Sequence, residues 1–238
     1  MKPIKKNFYG ILFLICRRIV RIFYPKYTVQ TPKNSGPVVY ITHHQNLFGP
    51  YILLLWFTEC IHAWILHVFL NRKACYDHYV NYTFTKRFGW NRTLAAICAF
   101  FISSFVPNLL HSSKGIPVYR GSRKIVHTFK HSAEVMSNGE SIAIFPDTDY
   151  SDTSSEMKDM YDGFLSIEKY YFNITRKHVC FIPLYVSKKK RKIIADKQIY
   201  FRDGKPFKEE KQIVYDQILA ELHRLAALCG DIKQDGKG

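Results

Sequence analysis

The chain has 238 residues, 47% of them hydrophobic and 16% aromatic, with 35 Lys and Arg against 19 Asp and Glu. That length suits one α/β domain, and the apolar content excludes an intrinsically disordered chain. A net charge of +16 points to a polyanionic partner, nucleic acid or an anionic membrane, and the long apolar stretches beside the basic clusters favour the membrane.

The N-terminus runs M-K-P-I-K-K, then F-Y-G-I-L-F-L-I-C, then R-R-I-V-R. The apolar run 8–16 is too short to span a bilayer, and no small-residue cleavage site follows Arg17, Arg18 and Arg21. Residues 1–24 are therefore expected to form an amphipathic membrane-anchoring helix on the cytoplasmic leaflet; the alternative is a plain amphipathic helix packed on the domain. An α/β domain, 25–230, and a polar tail, 231–238, are expected to follow it.

Residues 25–36 carry Pro and Gly and read as a linker; 37–42 read as a buried strand. The apolar stretch 51–70 contains Glu59, His62 and His67, each costly at mid-bilayer, and divides into a helix to about 59 and a strand near 61–68. Residues 94–106 form a second apolar helix, core or membrane-facing, with a full membrane span as the alternative. Strands are expected at 115–119, 141–145 and 179–186, and helices at 122–138, 161–172 and 208–229. A late hairpin turns around K-K-K-R-K. This alternation predicts an α/β fold with a mixed, largely parallel sheet flanked by helices. Six scattered cysteines with no C-x-x-C pair indicate neither zinc nor redox chemistry.

Four blocks bear on chemistry. I-T-H-H-Q-N-L-F-G-P puts His43 and His44 at the end of a strand, where crevices form in open α/β sheets. G-I-P-V-Y-R-G ends a strand at Arg120 and Gly121, ahead of a helix near Ser122 whose N-terminus suits a phosphate. F-P-D-T-D-Y-S-D offers Asp147, Asp149 and Asp152, which could hold a metal, orient a histidine or cap a helix. F-I-P-L-Y-V interrupts a strand with Pro183, which suggests an edge or bend forming a wall of the site.

In this order the blocks resemble the glycerolipid acyltransferase family that includes the lysophosphatidic acid acyltransferases, over about residues 36–206. The family's N-H-x-S-x-x-D-P run matches H-H-Q-N-L-F-G-P, its I-P-V-x-R-G block matches residues 116–121, its F-P-E-G-T-R-S block matches 145–151, and its V-P-V strand matches 182–184. The resemblance implies transfer of a fatty acyl chain from acyl-CoA or acyl carrier protein to a lysophospholipid or glycerol-phosphate-type hydroxyl. It implies His44 as the base, substrate contacts at Gln45, Asn46, Arg120 and Gly121, membrane phospholipids as partners, and no bound cofactor or metal. Gly49 stands where the family has its motif aspartate. Asp147 or Asp149 is then the expected orienting acid, approaching through the space left by Gly49. The alternative is a non-catalytic relative that binds lipid; a basic nucleic-acid binder is a third reading, with no recognised motif behind it.

Overall fold

In the computed structural model, residues 8–232 are described; residues 1–7 of the expected anchor and 233–238 of the tail lie outside them. Strands β1 (Thr28–Gln30), β2 (Val39–Ile41), β3 (Ile61–Leu66), β4 (Ile116–Val118), β5 (Ser141–Ile144), β6 (Phe181–Ser187) and β7 (Lys192–Ala195) form one sheet in the order β1-β7-β6-β2-β5-β3-β4. Every neighbouring pair is parallel except β6–β7, the hairpin around the basic run. Helices α1 (Ile11–Phe23), α2 (Phe48–Trp56), α3 (Arg72–His78), α4 (Arg92–Ser112), α5 (Ile125–Ser137), α6 (Ile167–Thr175) and α7 (Phe207–Leu228) flank it.

The central strands are apolar at most positions because both faces are covered, with Ser141, His62 and Ser187 the polar residues among them. Val39, Ile41, Ile142, Ile144 and Phe181 meet Met136, Ile167, Ile218 and Leu222 of α5, α6 and α7. Val38, Tyr40, Ala63, Ala143, Ile182 and Leu184 point to the other face and meet Ile52 and Leu53 of α2. The stretch 51–70 does split as expected, and its polar groups are used inside the protein. Glu59 accepts a 2.7 Å hydrogen bond from the Tyr40 hydroxyl, and His62 bridges the Lys114 carbonyl and Glu140 at 2.9 and 2.8 Å.

Four features depart from the sequence reading. The linker 25–36 contains β1, which pairs in parallel with β7. Between β3 and β4 lie α3 and a π-helical segment, Tyr79–Arg87, that no periodicity announced. Pro183 sits in β6 between two neighbouring strands rather than on an edge; the β6–β7 ladder begins only at Leu184↔Ala195, so Pro183 stands just outside it and its missing N–H breaks no bond there. In α1 two of the arginines turn inward. Arg17 donates to the carbonyls of Leu55 (2.9 Å) and Phe57 (2.7 Å), and Arg21 donates to Leu55 (2.7 Å). These carbonyls belong to the end of α2, where backbone acceptors lack helical partners and the helix dipole favours a cation. Burial lowers the Arg17 pKa to about 10. The outer face of α1 is mostly apolar: Ile11, Ile15, Ile19, Ile22 and Phe23 are all exposed, Phe23 by 84%, with Arg18 exposed among them.

The chain before α1 is tied to the sheet. The buried Tyr9 hydroxyl accepts from the Ile61 N–H (3.1 Å) and donates to the Ile61 carbonyl (3.2 Å), at the start of β3. Gly10 N–H donates to the Ser112 carbonyl at 2.8 Å, which joins the start of α1 to the end of α4. At the opposite end of the sheet the carboxyl ends of β2, β5 and β6 converge. The chain leaves β2 towards β3 and later passes from β5 to β6 on the other side of β2. This reversal is where α/β folds open a crevice.

Candidate active site

Thr42, His43 and His44 follow β2 and run into a tight reversal. Gln45, Asn46 and Leu47 have φ of 46°, 49° and 75°, three successive left-handed residues without a glycine. Each such residue costs on the order of 1 kcal/mol or more and persists only when its surroundings fix it. The reversal feeds directly into α2. Gly49, in its first turn, donates to the His44 carbonyl at 3.0 Å, and a Cβ at this position would stand 2.0 Å from the His43 carbonyl oxygen. The space that Gly49 was expected to leave for an incoming carboxylate is thus filled by the backbone of His43. For the same reason this backbone cannot hold an aspartate there.

A carboxylate arrives from the next strand. Ile41 of β2 pairs with Ile144 of β5, so the residues just beyond both ends are neighbours. Asp147, buried, hydrogen-bonds the His43 Nδ1 through one oxygen and accepts the His44 backbone N–H through the other at 2.9 Å. His43 is 3% exposed, and its Nε2 lies 3.1 Å from the Ser154 carbonyl. A carbonyl only accepts, so the Nε2 edge of the ring is turned to Ser154 as a donor, while the Nδ1 edge faces the Asp147 carboxylate.

The His44 ring is less enclosed. Its Nδ1 accepts the Leu47 backbone N–H at 3.1 Å, which places the proton of the neutral ring on Nε2. The ring stands edge-on to Tyr150, 4.9 Å between centroids, and to Phe145 at 6.1 Å. Burial lowers the His44 pKa below the ordinary 6.5; the Asp147 charge opposes this, His43 reinforces it, and a hydrogen bond to the Tyr150 backbone opposes it. Arg120 completes the group. Its guanidinium lies 5.0 Å from the Tyr150 ring centroid and 4.4 Å from that of Tyr161, within cation–π range. Burial raises the Tyr150 pKa, and Arg120 opposes the shift by charge and by a side-chain hydrogen bond.

The site therefore brings together His43, His44, Asp147, Tyr150 and Arg120. The other expected members are placed differently. Asp149 is exposed and takes the Ser151 N–H (2.8 Å) and hydroxyl (2.6 Å); Asp152 takes the Ser154 N–H (2.8 Å). Both act as turn acceptors within their own loop. Gln45 is 2% exposed; its Nε2 lies 3.5 Å from the Val186 carbonyl, and its Oε1 accepts no hydrogen bond from a described residue. Asn46 Oδ1 accepts from Arg87 Nη2 at 3.1 Å, which links the π-helical segment to the histidine turn. Arg120 and Gly121 lie short of α5, which starts at Ile125 rather than near Ser122, and Gly121 has φ of 71°. Sequence reasoning put His43 beside His44 at the strand end but gave it no role, and it missed Tyr150 as part of the site. The contact of His43 with Asp147 follows from the β2–β5 pairing, which nothing in the sequence announces.

Among the described residues no group of three or more His, Cys, Asp or Glu is placed to hold a metal ion. Comparison with known proteins finds no matching family model, no matching curated protein and no matching solved structure.

Proposed function

We propose that this chain is an acyltransferase at the cytoplasmic face of a membrane. It would move a fatty acyl chain from acyl-CoA or acyl carrier protein to a hydroxyl of a lysophospholipid or glycerol-phosphate-type acceptor. The observation that carries the reading is Asp147, which reaches from β5 to both histidines at the crevice end of β2 and supplies a carboxylate where Gly49 offers none. His44 takes the acceptor proton as the hydroxyl oxygen attacks the thioester carbonyl. The C–S bond then breaks, and the departing thiolate recovers the proton from the imidazolium. Asp147 holds the His44 backbone and the His43 ring in register, and Arg120 binds the acceptor phosphate.

This chemistry needs the Tyr150 loop to move. In the arrangement described, the His44 ring is hydrogen-bonded to Leu47 and to the Tyr150 backbone, and the Tyr150 ring is held by Arg120. An acceptor phosphate competes with Tyr150 for Arg120. Drawing Arg120 away releases Tyr150 and uncovers the ring. The strained turn 45–47 then lets go of Nδ1, which takes the ring proton and leaves Nε2 free to accept one.

Two apolar surfaces support the membrane location: the outer face of α1, and Leu94, Ile97, Phe101 and Phe105 of α4, all exposed. By length and composition α4 could cross a bilayer, but Ala95, Ala99, Ser103 and Pro107 along its other side are buried against the protein. That fits a helix lying in the interface.

A second reading, a lipid-binding protein without turnover, is favoured by one observation: the Leu47 N–H occupies the nitrogen that a catalytic histidine would keep protonated. The deciding experiment supplies purified protein in anionic vesicles with a mixed set of lyso-acceptors and each donor, read by mass spectrometry. A new acylated lipid that falls on the order of 10²–10⁴-fold with His44→Ala establishes the transferase. No product from either donor leaves the second reading.

A further inference from the structure

The insertion between β3 and β4 holds a groove away from the histidines. Asn71, Arg72, Lys73, Tyr76, Phe100 and Ser103 line an open cavity of about 520 Å³ between α3 and α4. Two of the six are cations, two are aromatic and none is a carboxylate. The Arg72 guanidinium stands 5.6 Å from the centroid of the Phe100 ring, and Arg72 and Lys73 are both exposed. Phe100, itself 54% exposed, borders the outward stripe of α4 formed by Leu94, Ile97, Phe101 and Phe105. The groove thus joins a positive rim to a continuous apolar surface.

We propose that this groove seats the headgroup phosphate of an anionic bilayer phospholipid, with Arg72 and Lys73 on the phosphate and Tyr76 and Phe100 against the first part of the acyl chains. The proposal rests on the membrane reading above and not on catalysis. A guanidinium matches phosphate oxygens in pairs, and aromatic rings settle at headgroup depth. A soluble polyanion would gain nothing from Phe100 and the stripe beside it, whereas a phospholipid uses the charge and the apolar surface together. Because the Asn46–Arg87 hydrogen bond connects the same insertion to the histidine turn, a lipid bound here fixes which way the crevice faces the bilayer.

The test is sedimentation of the full chain with phosphatidylcholine vesicles, with and without phosphatidylglycerol. Three variants are compared with the native chain: Arg72→Glu/Lys73→Glu, the neutral pair Arg72→Gln/Lys73→Gln, and Lys205→Glu/Lys208→Glu. The last makes the same charge change at exposed positions near the start of α7. A cation at an anionic surface contributes roughly fivefold in binding, so reversal at the groove is expected to lower affinity for phosphatidylglycerol vesicles by roughly 20-fold or more. The neutral pair, which settles the matter if the reversed one fails to fold, loses roughly 20-fold, and the α7 pair loses little. Equal losses from the groove and α7 pairs, or native binding by both groove variants, overturn the seat while the membrane reading stands. A native chain that binds neither vesicle overturns both.

Discussion

At the scale of single residues, Gly49 and Asp147 fix the geometry around the two histidines between them. The resemblance to acyltransferases suggests that Gly49→Asp would restore a missing acid. The geometry says the reverse, because a Cβ there meets the His43 carbonyl at 2.0 Å. Gly49→Asp is expected to add no turnover and to lower stability by about 1–3 kcal/mol or more, read as a fall in the thermal midpoint. Asp147→Ala removes the partner of a buried histidine and of a backbone N–H, and is expected to cost about 3–5 kcal/mol by denaturant unfolding. The depressed His44 pKa gives a pH signature. Its neutral form persists below the ordinary 6.5, so the acid limb of kcat/KM, if His44 is the base, falls below that value. In the stability profile the unfolded chain binds the proton first as pH drops through 6.5. The native state therefore loses stability from there down to the folded pKa and gains it as pH rises through the same window. His44→Ala flattens both features. An acid limb at or above 6.5 would remove His44 from the role of base.

At the scale of elements, α1 inverts the usual arrangement of a surface helix. Arg17 and Arg21 are spent on the carbonyls that end α2, and the apolar side chains are left outside. Two substitutions separate the faces. Arg17→Ala strips the Phe57 carbonyl of its donor and is expected to cost about 1–3 kcal/mol, with Arg21 still serving Leu55. Ile15→Asp and Ile19→Asp, on the outer side, are expected to change stability by no more than about 0.5 kcal/mol while weakening vesicle binding. A helix was expected over 1–24, and α1 occupies Ile11–Phe23 of it; which side would face the protein was not expected. Its periodicity shows two faces, and the choice between them depends on acceptors at the end of α2 that lie some forty residues on. The π-helical segment was hidden for a similar reason, since nothing local in Y-V-N-Y-T-F-T-K-R marks a widened turn.

At the scale of the whole molecule, the α/β class and most strands could be read from short β-branched runs bounded by Gly, Pro and polar residues, because burial on both faces leaves no other composition for such strands. What could not be read was which strand ends meet. His44 and Asp147 stand out separately as candidates, but the β2–β5 register that brings Asp147 to His43 is a property of sheet order. Asp149, in the same loop, shows how close a wrong choice lies: it bonds its own loop instead. The N-terminal attachment has a practical consequence for handling the protein. The segment 1–24 looks like a detachable anchor, the kind of piece routinely trimmed to obtain a crystallisable soluble core. Yet Tyr9 closes the start of β3, Gly10 clasps Ser112, and Phe8, Tyr9 and Phe13 form a buried cluster. Trimming at residue 24 would remove the partners of Ile61 and Ser112 and that cluster, so a stable core has to keep α1 and its exposed apolar side chains.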